Sequence, residues 1–210
     1  MNTIIDQFQK VPTTCISDAL QGLNNMDPAI KPLMEDYRVA GRAFTVKMPV
    51  GDNMAVLKAI REAKPGDILV IDAKGDRFRA IAGDFVVGMA KALGIKGIIV
   101  DGSIRDLIGI KQLDFPVFSR GATVAASVKA GVGEINVPIS CGGAAVQPGD
   151  IIVGDADGVV VVPRALEQEV LSHALEKLNK DNTRAVKYSD KPEKIIQYLD
   201  EILEAYKLRK

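Results

Sequence analysis

The sequence predicts an α/β fold, and three features carry that expectation. A short apolar run ending in glycine (RFRAIAG, 77–83), a helical pattern (DFVVGMAKALG, 84–94) and a β-branched run (KGIIVDG, 96–102) follow one another directly. Further β-branched runs, ILVIDA at 68–73 and VVVVP at 159–163, alternate with amphipathic segments along the chain. From Arg164 onward the pattern is helical, with a polar outer face.

The central unit fixes the rest. Phe85, Val86, Met89, Ala90 and Leu93 recur at near-helical spacing and stop at Gly94. Strand, helix and strand over 79–106 imply a right-handed crossover that returns the second strand parallel to the first. Both strands then end at the same edge of the sheet. Asp84 leaves one end and Arg105-Asp106 leave the other. Neighbouring strands lie about 5 Å apart. An acid, a guanidinium and a second acid are thereby expected in one crevice, where open α/β sheets bind ligands.

Around this unit, residues 2–10 read as a short amphipathic helix. Val11-Pro12 breaks it, and Thr13 or Thr14 is placed to cap a second helix, CISDALQG, closed by Gly22. Ser17-Asp18 in that helix reads as ordinary surface polarity. NNMDPAIKPLMEDY is a loop and VAGRAFTVKMPV a strand. Gly51-Asp52-Asn53 forms a turn and cap before the helix MAVLKAIREA. Lys64-Pro65-Gly66-Asp67 launches ILVIDA, and Gly75-Asp76 is the next turn. LIGIKQL reads as a short helix, FPVFSRG as a strand interrupted by proline, and 122–146 as antiparallel strands with tight turns. PGDILVIDA (65–73) and PGDIIVGDA (148–156) match at seven of nine positions, which points to one strand-initiating turn used twice. Helices then cover ALEQEVLSHALEKLNK and, after Lys191-Pro192, the segment to Lys210. In that last segment Ile195, Ile196, Leu199, Ile202 and Leu203 share a face suited to a neighbouring subunit.

Composition bounds the function classes. The chain has 210 residues and is 47% hydrophobic, which suits one domain over 1–210. Lys+Arg and Asp+Glu are both 27, so no bulk charge favours nucleic acid. No window holds the ~18 apolar residues of a membrane span. The start lacks a signal-peptide core, and a cytoplasmic location is expected. Cys15 and Cys141 are too few and too distant for a disulfide framework or a zinc site, and read as buried reduced thiols.

The crevice residues have ordinary explanations too: Asp84 and Asp106 could be helix caps. Arg105 is different, because a cation at a helix start opposes the macrodipole and needs a counter-charge. Asp106 or a bound anion would supply it. The helix start at 83–86 offers backbone N–H groups to an anion, and Gly83 allows close approach. Mg²⁺ or Mn²⁺ typically takes one or two protein carboxylates and keeps waters. Asp106 as direct ligand and Asp84 through water fit that pattern. A 2-oxo acid suits such a site, with Arg105 stabilising the oxygen as an enolate forms. A lysine Schiff base ranks lower, since no lysine stands in a clearly apolar context.

Across these residues the sequence resembles the RraA-like family, which contains 4-hydroxy-4-methyl-2-oxoglutarate aldolases with oxaloacetate decarboxylase activity. The likeness runs through SDAL (17–20), GDN (51–53), PGD (65–67), GD-x20-RD (83–106), FPVF (115–118) and PGDIIVGDADGVVVVP (148–163). It implies an α/β/α sandwich with a swivelling β/β/α core, assembled as trimers or dimers of trimers. It assigns Gly83, Asp84, Phe85 and Val86 to the substrate loop, Arg105 to the substrate and Asp106 to a divalent metal. It also implies an acid from a neighbouring subunit, for which Glu193, Glu201 and Glu204 are candidates without a motif to choose among them. The expected function is a metal-dependent lyase of a small 2-oxo acid, with Arg105 and Asp84 catalytic. The alternative is the non-catalytic role of family relatives that regulate ribonuclease E. A quinone methyltransferase is discounted for want of a glycine-rich strand-to-helix loop followed by an acidic ribose ligand. His173, the one histidine, reads as a surface residue.

Overall fold

Runs of β-branched residues that are buried on both faces can only sit inside a covered sheet, and they do so here. The structure is a computed structural model describing residues 3–189 and 191–207. In chain order its elements are α1 (Ile4–Phe8), α2 (Thr13–Ala19), β1 (Lys31–Pro32), β2 (Val39–Lys47), α3 (Met54–Glu62), β3 (Asp67–Ala80), α4 (Asp84–Ala92), β4 (Gly97–Ile104), α5 (Leu107–Gln112) and β5 (Val117–Ala122). Next come β6 (Glu134–Ile135), β7 (Ile139–Cys141), β8 (Ala144–Val146), β9 (Ile151–Asp155), β10 (Gly158–Val162), α6 (Glu167–Tyr188) and α7 (Pro192–Lys207). The parts of the expected helices at Asn2 and at 208–210 lie outside the described residues.

The main sheet runs β1-β5-β4-β3-β2-β9-β10, with β6 paired to β2. β2, β3, β4 and β5 are parallel, and β9 joins β2 antiparallel. The sheet curls until its two edges approach, where the Lys31 ammonium donates to the Asp157 carbonyl at 2.7 Å. Side chains alternate across it. Leu69, Ile71, Ile98 and Val100 pack towards α3, α4 and α5, with Val56, Val87 and Ile110. Ile68, Val70 and Ile99 face the opposite way, into the layer closed by the β7–β8 hairpin. A third cluster joins α1, α2 and α6 to β9 and β10 through Phe8, Ile16, Val153 and Leu171.

The mixed α/β architecture, the parallel strand–helix–strand unit at 79–106 and the helical C-terminus are all present. The repeated PGD device is also real. Asp67 Oδ2 accepts from Lys64 N and Asp150 Oδ2 from Gln147 N, each at 2.8 Å, and Gly66 and Gly149 both take positive φ.

Four local expectations change. The turn at Gly75-Asp76 does not end a strand, because β3 is continuous from Asp67 to Ala80 and absorbs the extra residues as two register shifts against β4. Lys74 and Gly75 adopt positive φ there. Pro116 lies just before β5 and so interrupts nothing; its carbonyl accepts from Ile98 N at 3.0 Å. Residues 123–133 form a tethered loop, and only 134–146 supply antiparallel strands. Neither Thr13 nor Thr14 caps α2. The Asp155 carboxylate does so from β9, accepting from Thr13 N at 2.9 Å and Thr13 Oγ1 at 2.6 Å.

Both cysteines are free and buried. Burial, reinforced by the Asp101 and Asp72 carboxylates, pushes the Cys141 thiol well above its usual pKa. No helix among the described residues is long and apolar enough to cross a membrane. Ile195, Ile196, Leu199, Ile202 and Leu203 on α7 remain substantially exposed.

Phe118 occupies the centre of the second layer, fully buried, and a methyl group on Gly154 would come within 2.8 Å of its ring. Truncating a buried phenylalanine removes transfer energy and leaves a cavity. Phe118→Ala is therefore expected to lower unfolding free energy by about 3–5 kcal/mol in urea denaturation followed by circular dichroism.

Candidate functional site

The β3 and β4 tips do meet. Ile81 N donates to Ser103 O at 2.8 Å and Arg105 N to Ala82 O at 3.0 Å, so the chain enters α4 beside the point where it leaves β4. Gly83 is the N-cap of α4 and Asp84 its first residue. The absence of a side chain at Gly83 is required by its surroundings. A methyl group there would overlap the Asp106 carboxylate and stand 3.3 Å from Arg105 Cγ and Nε. Asp106 Oδ2 lies 3.3 Å from Arg105 Nε, and both side chains remain about two-fifths exposed (43% and 41%).

Asp106 is the N-cap of α5 by position, but its side chain makes no capping hydrogen bond. Its backbone is left-handed (φ 58, ψ 42), a region that costs a non-glycine residue roughly 1–2 kcal/mol, least for Asp and Asn. Capping therefore does not explain this aspartate. The strained backbone delivers its carboxylate to the cleft instead. Asp84 does not cap by reaching down its helix either. Its Oδ1 accepts from the adjacent Phe85 N at 2.7 Å, which engages one of the amides expected to face a ligand. The rest of the carboxyl fills the notch left by Gly109, where a methyl group would meet Asp84 Oδ2 at 2.5 Å.

These residues line one cleft of about 270 Å³, whose walls include Gly83, Asp84, Phe85, Val86, Arg105 and Asp106. All six residues singled out in the sequence therefore come together. Phe85 is largely exposed at the rim. His173 is exposed on α6, as expected.

A second part of the lining was not anticipated. Asn53, Ala126, Ser127 and Lys129 supply it. The GDN turn at 51–53 clasps the loop that carries the last three. Asp52 is buried; its Oδ1 accepts from Met54 N at 2.8 Å, and its Oδ2 from Ala130 N and from Gly131 N at 3.1 Å. Val128 N donates to Gly51 O at 2.8 Å, and Asn53 N to Val128 O at 3.0 Å. Ser127 Oγ and the Arg79 guanidinium tie the loop to β3 through Ala80 O (2.9 Å) and Ala126 O (3.0 Å). The signal was present in GDN, where an aspartate and an asparagine precede a helix that needs only one side-chain cap.

A larger groove of about 380 Å³ lies near Ser17, Asp18 and Asp157. Several of its polar groups are engaged internally: Ser17 Oγ accepts from Asn25 Nδ2 at 2.8 Å, Asp18 pairs with Lys177 at 3.0 Å, and Thr13 is held by Asp155. The smaller cleft gathers an arginine, two aspartates and a helix start without a side-chain cap, a set of groups suited to a small anion, so it is the better candidate. Among the described residues no group of three or more His, Cys, Asp or Glu side chains is arranged to hold a metal. The cleft carboxylates Asp84 and Asp106 match only the sparse ligation that a hard, water-retaining cation accepts.

The fold and cleft define an α/β protein with a small polar site at the carboxyl ends of parallel strands. The family model RraA-like (Aldolase/RraA) matches residues 13–161, and the chain belongs to that family. It is 58% identical over 199 residues to a protein of Halalkalibacterium halodurans named "Putative 4-hydroxy-4-methyl-2-oxoglutarate aldolase", covering 95% of each chain. A crystal structure of Streptomyces coelicolor RraAS2, described as an unusual member of the RNase ES inhibitor RraA family, superposes with a TM-score of 0.77 at 29% identity, covering 86% of this chain and 94% of that one. The RNA-processing inhibitor RraA of Thermus thermophilis gives 0.68 at 29% identity, over 73% and 93%.

The clasp makes a prediction independent of any activity. Removing the Asp52 carboxylate strands backbone donors that it now satisfies, at about 1–3 kcal/mol for a buried unpaired group. In Asp52→Ala, hydrogen exchange at Met54, Ala130 and Gly131 is expected to accelerate by a corresponding factor of about 5–150, while amides of β3 and β4 keep their protection.

Proposed function

We propose that the chain is a divalent-metal-dependent lyase that cleaves a carbon–carbon bond of a small 2-oxo acid, as a pyruvate aldolase or oxaloacetate decarboxylase. The observation that supports this reading most directly is the convergence of Arg105, Asp106 and the α4 start on one 270 Å³ cleft. Such a volume suits a small acid rather than a dinucleotide. The name carried by the relative at 58% identity agrees with it.

In this reading the α4 start, opened by Gly83, receives the substrate carboxylate. Arg105 faces the keto oxygen and stabilises the negative charge that develops there as the bond to the third carbon breaks. Retro-aldol cleavage and decarboxylation both send that electron pair into the same pyruvate enolate, so one arginine serves either reaction. Asp106 would hold a Mg²⁺ or Mn²⁺ ion directly and Asp84 through water; the cation would supply Lewis-acid polarisation of the keto group. Asp84 and water remain as proton carriers in the cleft, since the single histidine lies on α6. Family likeness further suggests a homo-oligomer, trimer or hexamer, with the 164–210 helices at an interface. The exposed apolar face of α7 supports that arrangement.

Pyruvate release from oxaloacetate and from 4-hydroxy-4-methyl-2-oxoglutarate, measured by coupled assay, is expected to vanish with EDTA and return with Mg²⁺ or Mn²⁺. Arg105→Ala should lower kcat by about 10²–10³. Unchanged turnover in that variant would defeat the mechanism. Asp106→Ala should weaken metal dependence most, and Asp84→Asn less. The second reading, a protein-binding regulator of RNA processing, is favoured by the names of two structural neighbours. Tight binding to ribonuclease E without turnover of any 2-oxo acid would establish it instead.

A further inference from the structure

Four charged side chains line the cleft, and three of them are engaged. Asp84 accepts from Phe85 N, and Arg105 and Asp106 face each other at 3.3 Å. The fourth, Lys129, is exposed, and its ammonium has no hydrogen bond or ion pair among the described residues. Its backbone, by contrast, is held on both sides. Val128 N donates to Gly51 O at 2.8 Å, Val128 O accepts from Asn53 N at 3.0 Å, and Ala130 N donates to the buried Asp52 carboxylate. A lysine on a loose loop is ordinarily solvated and needs no explanation. Here a fixed attachment point at the cleft carries a flexible four-carbon stem with three donors at its end.

The lyase reading leaves this group without a task. Arg105 and the α4 start take the reacting end of a 2-oxo acid, a carboxylate and a keto oxygen that every such substrate shares with pyruvate. Charge counting points beyond that end. Asp84, Asp106, Arg105 and Lys129 sum to zero, and the divalent cation of that reading raises the total to two positive charges. A monocarboxylate leaves one of them uncompensated, whereas a dicarboxylate balances both. The second carboxylate thus has an electrostatic reason to bind, and an unpaired ammonium is a charged donor that can receive it.

We propose that Lys129 receives the second carboxylate of a dicarboxylic 2-oxo acid, and so sets the preference of the cleft for diacids over monoacids. The inference rests on the lyase reading above and deepens it. Lys129 takes no part in the bond cleavage, and its effect depends on the fate of the carboxylate it holds. In retro-aldol cleavage of 4-hydroxy-4-methyl-2-oxoglutarate that carboxylate stays intact on the departing fragment, so the ion pair persists into the transition state. In decarboxylation of oxaloacetate it is the group that leaves as carbon dioxide. Its negative charge passes to the enolate oxygen, and the ion pair is surrendered as the bond breaks.

The test uses both diacids and pyruvate on one variant. Lys129→Met keeps the length of the stem, removes the charge and breaks no hydrogen bond of the clasp. For 4-hydroxy-4-methyl-2-oxoglutarate, kcat/KM is expected to fall about 5- to 50-fold, between the worth of an exposed ion pair and that of a buried charged hydrogen bond. For oxaloacetate, KM is expected to rise while kcat does not fall, because only a ground-state interaction is lost. The inhibition constant of pyruvate, which lacks a second carboxylate, should stay within about threefold, which also reports an intact cleft. Lys129→Arg, which keeps the charge, should restore the preference for diacids. Equal weakening of pyruvate and the diacids would overturn the proposal, since Lys129 would then serve the reacting end or the fold of the loop. So would no change with any of the three. If the unmodified protein turns over the diacids and Lys129→Met is unselective, this inference fails and the lyase reading stands; if the unmodified protein turns over neither diacid, both fail.

Discussion

Everything at the cleft depends on how β3 pairs with β4. The two strands run in regular parallel register from Ile68↔Gly97 to Ile71↔Val100, and then β3 bulges. The next partners are Asp76↔Gly102 and Ala80↔Ser103, so β3 takes five residue steps where β4 takes two, and then four where β4 takes one. Bulges of this kind bend a strand and re-aim the residues beyond them. Here the consequence is that Ile81 and Ala82 still reach β4, and α4 begins directly against Arg105 and Asp106. Gly83 is the contact point. Any side chain there would displace the Asp106 carboxylate, so the geometry of the acid, the guanidinium and the helix start is set by one backbone approach.

The same bulged end of β3 anchors the second wall. Ala80 pairs with the loop through its N–H to Ala125 O, and its carbonyl receives Ser127 Oγ. Asp52 holds the far side of that loop. The two walls thus belong to different stretches of sequence but share a strand, and the loop is fixed by hydrogen bonds to rigid elements at both margins. Functional loops placed on a stiff scaffold in this way combine accessible side chains with defined geometry.

The first wall was legible in the sequence for a physical reason. Helical spacing between two β-branched runs implies a parallel crossover, and a parallel crossover puts Asp84 and Arg105-Asp106 at one edge whatever the details of packing. The second wall was not. Residues 123–133 are mostly small, and the hydrogen bonds that hold 125–131 in place go to Gly51, Asp52, Asn53, Arg79 and Ala80, at sequence separations of 45 or more that no local pattern encodes. The turn expected at Gly75-Asp76 failed for a related reason: positive φ at Lys74 and Gly75 can end a strand or bulge it, and only pairing with β4 decides which. Asp155 capping α2 from β9 is a third long-range substitution for an expected local one. The family likeness supplied what the residues alone could not, the expectation of an oligomer with an acid from a neighbouring subunit at the site. The left-handed, uncapped backbone of Asp106 could not be read from the sequence either.

The composition of the cleft also narrows the kind of catalysis it can support. The single histidine is on α6, Cys141 is fully buried with its thiol pushed up in pKa, and Cys15 is buried on α2. Neither an imidazole base nor a thiolate nucleophile is therefore at hand. The walls do offer fixed charge and oriented dipoles: a guanidinium, a helix start, two carboxylates and an amide with one end tied down. Groups of that type act by stabilising charge where it develops and by orienting the reacting bond, and they need no reorganisation as the reaction proceeds. A reaction whose difficulty is a developing oxyanion fits such a site. That fit comes from the residues of the cleft themselves, and it is the physical ground on which the proposed reading stands.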